Sequence, residues 1–174
     1  MKRSVLLALG AAAFFALGVA VAQQSNVPLG ARIKMKWQGD AVRFAEGGQT
    51  HEVSIKEQFQ AVRLDTVVLQ SAKESNGFIY LLLDVTGPSK LPRDSHQCGG
   101  GNESNLIWLK LDKDWKVLDA KNFLYDSCWT SASMIDPPKW QGDTLKVTTV
   151  DKVATYSYKH PDEGLKVSEV AETK

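Results

Sequence analysis

Phe78-Ile79-Tyr80-Leu81-Leu82-Leu83-Asp84-Val85 is eight residues long and carries one charge. It does not alternate. A strand with one face in water would show a polar residue at every second position, and this run shows none until Asp84. It therefore reads as a central strand covered on both faces. Asn76-Gly77 in front of it is a strong hairpin-turn signal, and Gly87-Pro88 is expected to end it.

Strand signals continue on either side. In Ala31 to Trp37, Ile33, Met35 and Trp37 alternate with Arg32, Lys34 and Lys36. Val42 and Phe44 follow the Gly39-Asp40 turn, and Val53 and Ile55 follow Gly47-Gly48, so residues 32–56 read as a three-stranded meander. Residues 56–63 are ambiguous and admit a short helix, whereas Val67 to Leu69 favours a strand. Downstream, 105–111 and 116–125 form a hairpin around Asp112-Lys113-Asp114. Pro137-Pro138 should break the chain. Residues 144–150 and 153–158 form another hairpin, and 165–170 a short last strand. The fold class is all-β or β-rich α+β: an antiparallel meander, sandwich or barrel-like domain of about ten strands, with at most one or two short helices.

One pentapeptide, Lys-Trp-Gln-Gly-Asp, occurs at 36–40 and again at 139–143, 103 positions apart. Each copy places an aromatic at a strand end, a Gly able to take a positive φ, and an Asp able to accept a turn hydrogen bond. Three readings stand: a shared turn signal, an old duplication, or a pair of ligand contacts made by the two Trp faces. The turn signal is the favoured one, because the match fades beyond about nine positions and true repeats recur at shorter periods.

The N-terminus reads as an address. Lys2 and Arg3 precede an apolar run from Val5 to Val21, and Ala20-Val21-Ala22 is an A-x-A cleavage site. Residues 1–22 are expected to be a secretory signal peptide of bacterial type and 23–174 a single β-rich domain, periplasmic or secreted, with no stable membrane insertion after cleavage. Removing 22 of 174 residues leaves 152, enough for one core. Without Lys2 and Arg3, the 21 basic residues become 19, against 20 acidic ones. Such a balance carries no footprint for nucleic acid. Cys98 and Cys128 are the only two cysteines. In an oxidising compartment they are expected to form one disulfide.

The stretch with most chemistry is Arg93-Asp94-Ser95-His96-Gln97-Cys98-Gly99-Gly100-Gly101-Asn102-Glu103-Ser104, within a long irregular loop over 86–104. A loop pinned by a disulfide is preorganised for recognition. Arg93, Asp94, His96, Asn102, Glu103 and, beside the second cysteine, Trp129 are the candidate binding residues. The triple glycine is no phosphate loop, since no G-x-x-x-x-G-K-[ST] follows. A G-x-S-x-G elbow is also absent. His51, His96 and His160 show no ligand spacing, so no metal and no cofactor is expected. In general plan the chain is similar to small periplasmic inhibitors of lysozyme or of secreted toxins, though no motif is shared residue by residue. The expected function is that of an exported cell-envelope binding protein, of the inhibitor or immunity type, rather than an enzyme. It would recognise another protein through the segment 88–104. The alternatives are a carbohydrate or small-ligand module using rim Trp residues, and a hydrolase using His96 and Glu103. Oligomeric state is open.

Overall fold

The computed structural model describes residues 28–59, 61–90, 101–128, 130 and 132–170. The expected leader and its cleavage site lie outside the described residues. A one-turn helix, α1 (Leu29–Arg32), opens the described chain. Eleven strands follow: β1 (Lys34–Gln38), β2 (Ala41–Glu46), β3 (Gln49–Ser54), β4 (Thr66–Ser75), β5 (Phe78–Pro88), β6 (Asn102–Leu111), β7 (Val117–Ser127), β8 (Met134–Gln141), β9 (Thr144–Thr149), β10 (Lys152–Ser157) and β11 (Leu165–Glu169). A 3₁₀ turn at Pro161–Glu163 precedes the last strand. They form three antiparallel sheets: β1-β2-β3, β4-β5-β6-β7 and β11-β10-β9-β8.

The unbroken apolar run is the middle of this arrangement. Leu81, Leu82 and Leu83 on β5 are each fully buried. Consecutive side chains of a strand point to opposite faces, so both faces must be covered. Ile79, Leu81, Leu83 and Val85 pack with Ile107, Leu109 and Leu111 of β6, and with Val42, Phe44 and Val53 of the first sheet. Tyr80 and Leu82 pack on the other side with Leu106, Trp108, Phe123, Leu145, Val147, Ala154 and Tyr156. The four-stranded sheet is thus the shared middle layer of two cores. Each buried leucine contributes roughly 1.5–3 kcal/mol relative to exposure. Trp108, in the second core, donates its indole N–H to the Pro161 carbonyl at 2.8 Å, which satisfies a buried donor and ties the 3₁₀ turn to the sheet.

The two outer sheets carry the repeated pentapeptide at the same place. Gln38 pairs with Ala41 around Gly39-Asp40, and Gln141 with Thr144 around Gly142-Asp143. Gly39 has φ 65° and Gly142 φ 61°, while neither Asp has a positive φ, as a hairpin turn with glycine in its first central position requires. The likeness extends well past the pentapeptide. β2 and β3 match β9 and β10 in length and in register at a constant offset of 103 positions: Ala41↔Ser54 corresponds to Thr144↔Ser157, and Val42↔Val53 to Leu145↔Tyr156. The Ile55 N–H donates to the Asp40 carbonyl and the Tyr158 N–H to the Asp143 carbonyl. The turn is therefore one part of an equivalent three-stranded unit, which the sequence match understates because packing requires only the apolar pattern to persist.

Two local expectations are corrected, and one open reading is decided. Gly87-Pro88 ends β5 as its last paired residues, Gly87↔Glu103 and Pro88↔Asn102, rather than lying beyond it, so the irregular stretch is shorter than 86–104. Gly87 is required there because a Cβ would collide with the backbone carbonyl of Arg63. Pro137 and Pro138 lie within β8 rather than breaking it. β8 is an edge strand whose register shifts between Asp136 and Lys139, and an edge tolerates residues that cannot donate to a ladder. Lys56–Gln58 form a turn, not a helix, and Ala61 bridges Ser89. A bulge also lies in β4 between Leu69 and Ser71.

Candidate functional site

Glu103, Ser104 and Asn105 are three successive polar residues at the start of β6, and all three are buried, at 5%, 7% and 3% exposure. Strand parity divides them. Glu103 and Asn105 share the face of Ile107 and Leu109, and Ser104 that of Leu106 and Trp108. Both cores thus turn polar at one end of the middle sheet. This is also the end where Cys128 lies: a Cβ on Gly101 would fall 2.7 Å from Cys128 Sγ.

On the first face the polar end opens into a cavity of about 420 Å³ lined by Lys56, Phe59, Ala61, Lys90, Glu103, Asn105, Asn122, Leu124 and Thr130. The wall formed by Phe59 and Ala61 comes from the connection between β3 and β4. That connection is held against β5 by Val62 N–H to Pro88 O at 3.0 Å and Asp65 N–H to Thr86 O at 2.9 Å. Ser89 donates its hydroxyl to Glu103 Oε1 at 2.6 Å. No other side-chain partner of Glu103 is found among the described residues, and none for the Asn105 amide. A hollow of about 220 Å³ continues the cavity, sharing Lys56, Phe59, Ala61 and Lys90 and adding Asp40, Arg63 and Leu64. The result is a groove with an acidic and amide floor, an apolar side and exposed lysines at the mouth. Such a mix of apolar wall and few convergent polar groups suits a ligand.

On the opposite face a closed network takes the place of a cavity. Tyr125 donates its hydroxyl to Asp84 Oδ1 at 2.7 Å. Gln70, re-aimed by the bulge in β4, donates to Asp84 Oδ2 at 3.4 Å and accepts the Trp140 indole N–H at 3.2 Å. Thr86 and Ser104 are 3.2 Å apart. Burial raises the Asp84 carboxyl above its ordinary value, against the lowering effect of the Tyr125 and Gln70 hydrogen bonds. Burial and the neighbouring Asp84 push the Tyr125 phenol far up. The groups satisfy one another, so the network reads as structural. A third cavity, about 380 Å³ at the far end, holds Arg32 paired with Glu46 at 3.2 Å and Glu74 at 2.9 Å.

Of the predicted site residues, Glu103 lines the groove and Asn102 is exposed beside it. Arg93, Asp94, His96, Cys98 and Trp129 lie outside the described residues. Asn105, Lys56, Phe59 and Lys90 were not foreseen. Asn105 had a readable signal, since it is polar in phase with Ile107 and Leu109. Lys56 and Lys90 had none, being two of many surface lysines. Trp115, in the turn between β6 and β7, is buried at 5% and stacks between Phe44 at 5.2 Å and His51 at 4.8 Å. Asp112 turns its chain as expected, accepting from the N–H groups of Asp114 and Lys116. Among the described residues no three His, Cys, Asp or Glu side chains converge as a metal site. No protein family, curated protein or solved structure matches the chain.

Proposed function

We propose that this chain is an exported binding protein that recognises another protein, and that the groove at the polar end of the middle sheet is its recognition site. The observation that carries this reading is the buried Glu103 carboxylate, with one described partner and a cavity in front of it. Burying a carboxylate with incomplete pairing is costly, and a core without a task would have placed an apolar residue in phase with Ile107. We further propose that Cys98 pairs with Cys128, closing a loop of 31 residues and holding the backbone at Gly101 beside the groove. The carbohydrate alternative rests on rim tryptophans, and none of the described tryptophans lines the groove.

The test is quantitative. Oxidised protein spanning 23–174 is used to isolate a partner from envelope extract, and the partner's dissociation constant is then measured against Glu103→Gln. Gln keeps an acceptor for Ser89, so folding should persist. Affinity should fall about tenfold or more, the ordinary cost of losing a hydrogen bond to a charged group. Equal affinity for both forms would remove the groove from the binding site.

A further inference from the structure

The equivalence of the two outer units exposes one difference in chemistry. Lys56 and Asp40 of the first unit correspond, at the offset of 103, to Lys159 and Asp143 of the second. In the second unit the pair is closed: Lys159 Nζ lies 2.6 Å from Asp143 Oδ2. In the first unit the same two residues form no ion pair among the described residues. Instead both line the groove, together with Lys90. Arg63, the remaining cation there, is engaged by Asp65 at 2.8 Å.

We infer that the two units have parted in role, and that the first presents Lys56 and Lys90 to a carboxylate and Glu103 and Asp40 to an ammonium, so that the groove takes a short zwitterionic peptide. The inference rests on the binding reading above for its site, the groove, and departs from it in the occupant, a free peptide rather than a folded protein. An anion alone would leave Glu103 facing it across the cavity, and a cation alone would meet two lysines at the mouth. A ligand carrying both charges answers both, and its backbone amides would meet the Asn105 amide and the Asn122 Oδ1, the Asn122 Nδ2 being engaged by the Gln58 carbonyl at 3.1 Å. Phe59 and Leu124 provide apolar contact for a side chain. A groove of this volume lies in the range of ordinary small-ligand sites.

The probes are free di- and tripeptides of Ala and Lys, beside the same peptides N-acetylated or C-amidated, titrated calorimetrically into the oxidised 23–174 protein. Free peptides should bind. Acetylating the amine, or amidating the carboxylate, should each weaken binding about tenfold. Lys56→Ala, an exposed change that leaves folding intact, should weaken it comparably, and Glu103→Gln should do so most for peptides with a free amine. Lys159→Ala, its counterpart in the second unit, should leave binding unchanged. Binding that is absent, or indifferent to acetylation and amidation, overturns the zwitterion class. If the isolated partner still loses affinity in Glu103→Gln, only the ligand class falls. If that variant binds the partner like wild type, the groove itself falls with it.

Discussion

Asp84 shows what burial does to a single side chain. Its carboxyl is raised because the charged form is the one that burial penalises. A raised folded value means that the folded state holds the proton more tightly. The group's contribution therefore favours folding fully below the unfolded value of 3.8 and is lost as pH rises through the folded value. Asp84→Asn keeps an acceptor for Tyr125 without the charge. It should be at least as stable as wild type at neutral pH, and the gap should close as pH falls toward the unfolded value, as urea melts across that range would record. Asp84→Ala removes the carboxylate acceptor of the Tyr125 hydroxyl and should cost about 1–3 kcal/mol. Gly101 is constrained by contact instead. Its missing Cβ leaves room for Cys128, so Gly101→Ala should destabilise by on the order of 1–3 kcal/mol through forced displacement, measured by the same melts.

The hairpins are decided by elements of a few residues. Each Gly-Asp turn needs a positive φ at its glycine, and nothing lies within 4 Å of an added Cβ at Gly39 or Gly142. Alanine there should cost only the backbone term, about 1–2 kcal/mol, and nearly the same at both sites. Thermal melts of Gly39→Ala and Gly142→Ala test this, and a large inequality would count against the equivalence of the two units. These turns were legible because φ is a local property. The extension of β5 through Pro88 was not, since the pairing of Gly87 with Glu103 depends on a strand that begins fourteen residues later. Asn102, Glu103 and Ser104 looked like loop for the same reason.

In the whole molecule the two cores share one sheet, so loosening either outer layer exposes a face of β5 and β6. The proposed Cys98–Cys128 bridge acts at this level, by restricting the unfolded chain. Replacing both cysteines with serine should lower stability by roughly 3–4 kcal/mol for a loop of this length. Urea unfolding of the oxidised and Cys98→Ser/Cys128→Ser proteins measures it, and an unchanged midpoint would argue against the pairing.

Periodicity and turn chemistry are short-range, and they sufficed for the strand-rich class, most strand positions, the turns and the need to cover Leu81–Leu83 on both sides. They also marked Glu103 as a polar residue of interest. Which layers provide that cover, the constant offset between the outer units, and the meeting of Lys56, Phe59 and Lys90 with Glu103 and Asn105 were settled only in three dimensions. Those residues are brought together by the path of the connection between β3 and β4 along the end of β5. Such a path follows from which apolar faces find each other, and no local pattern in the chain encodes it.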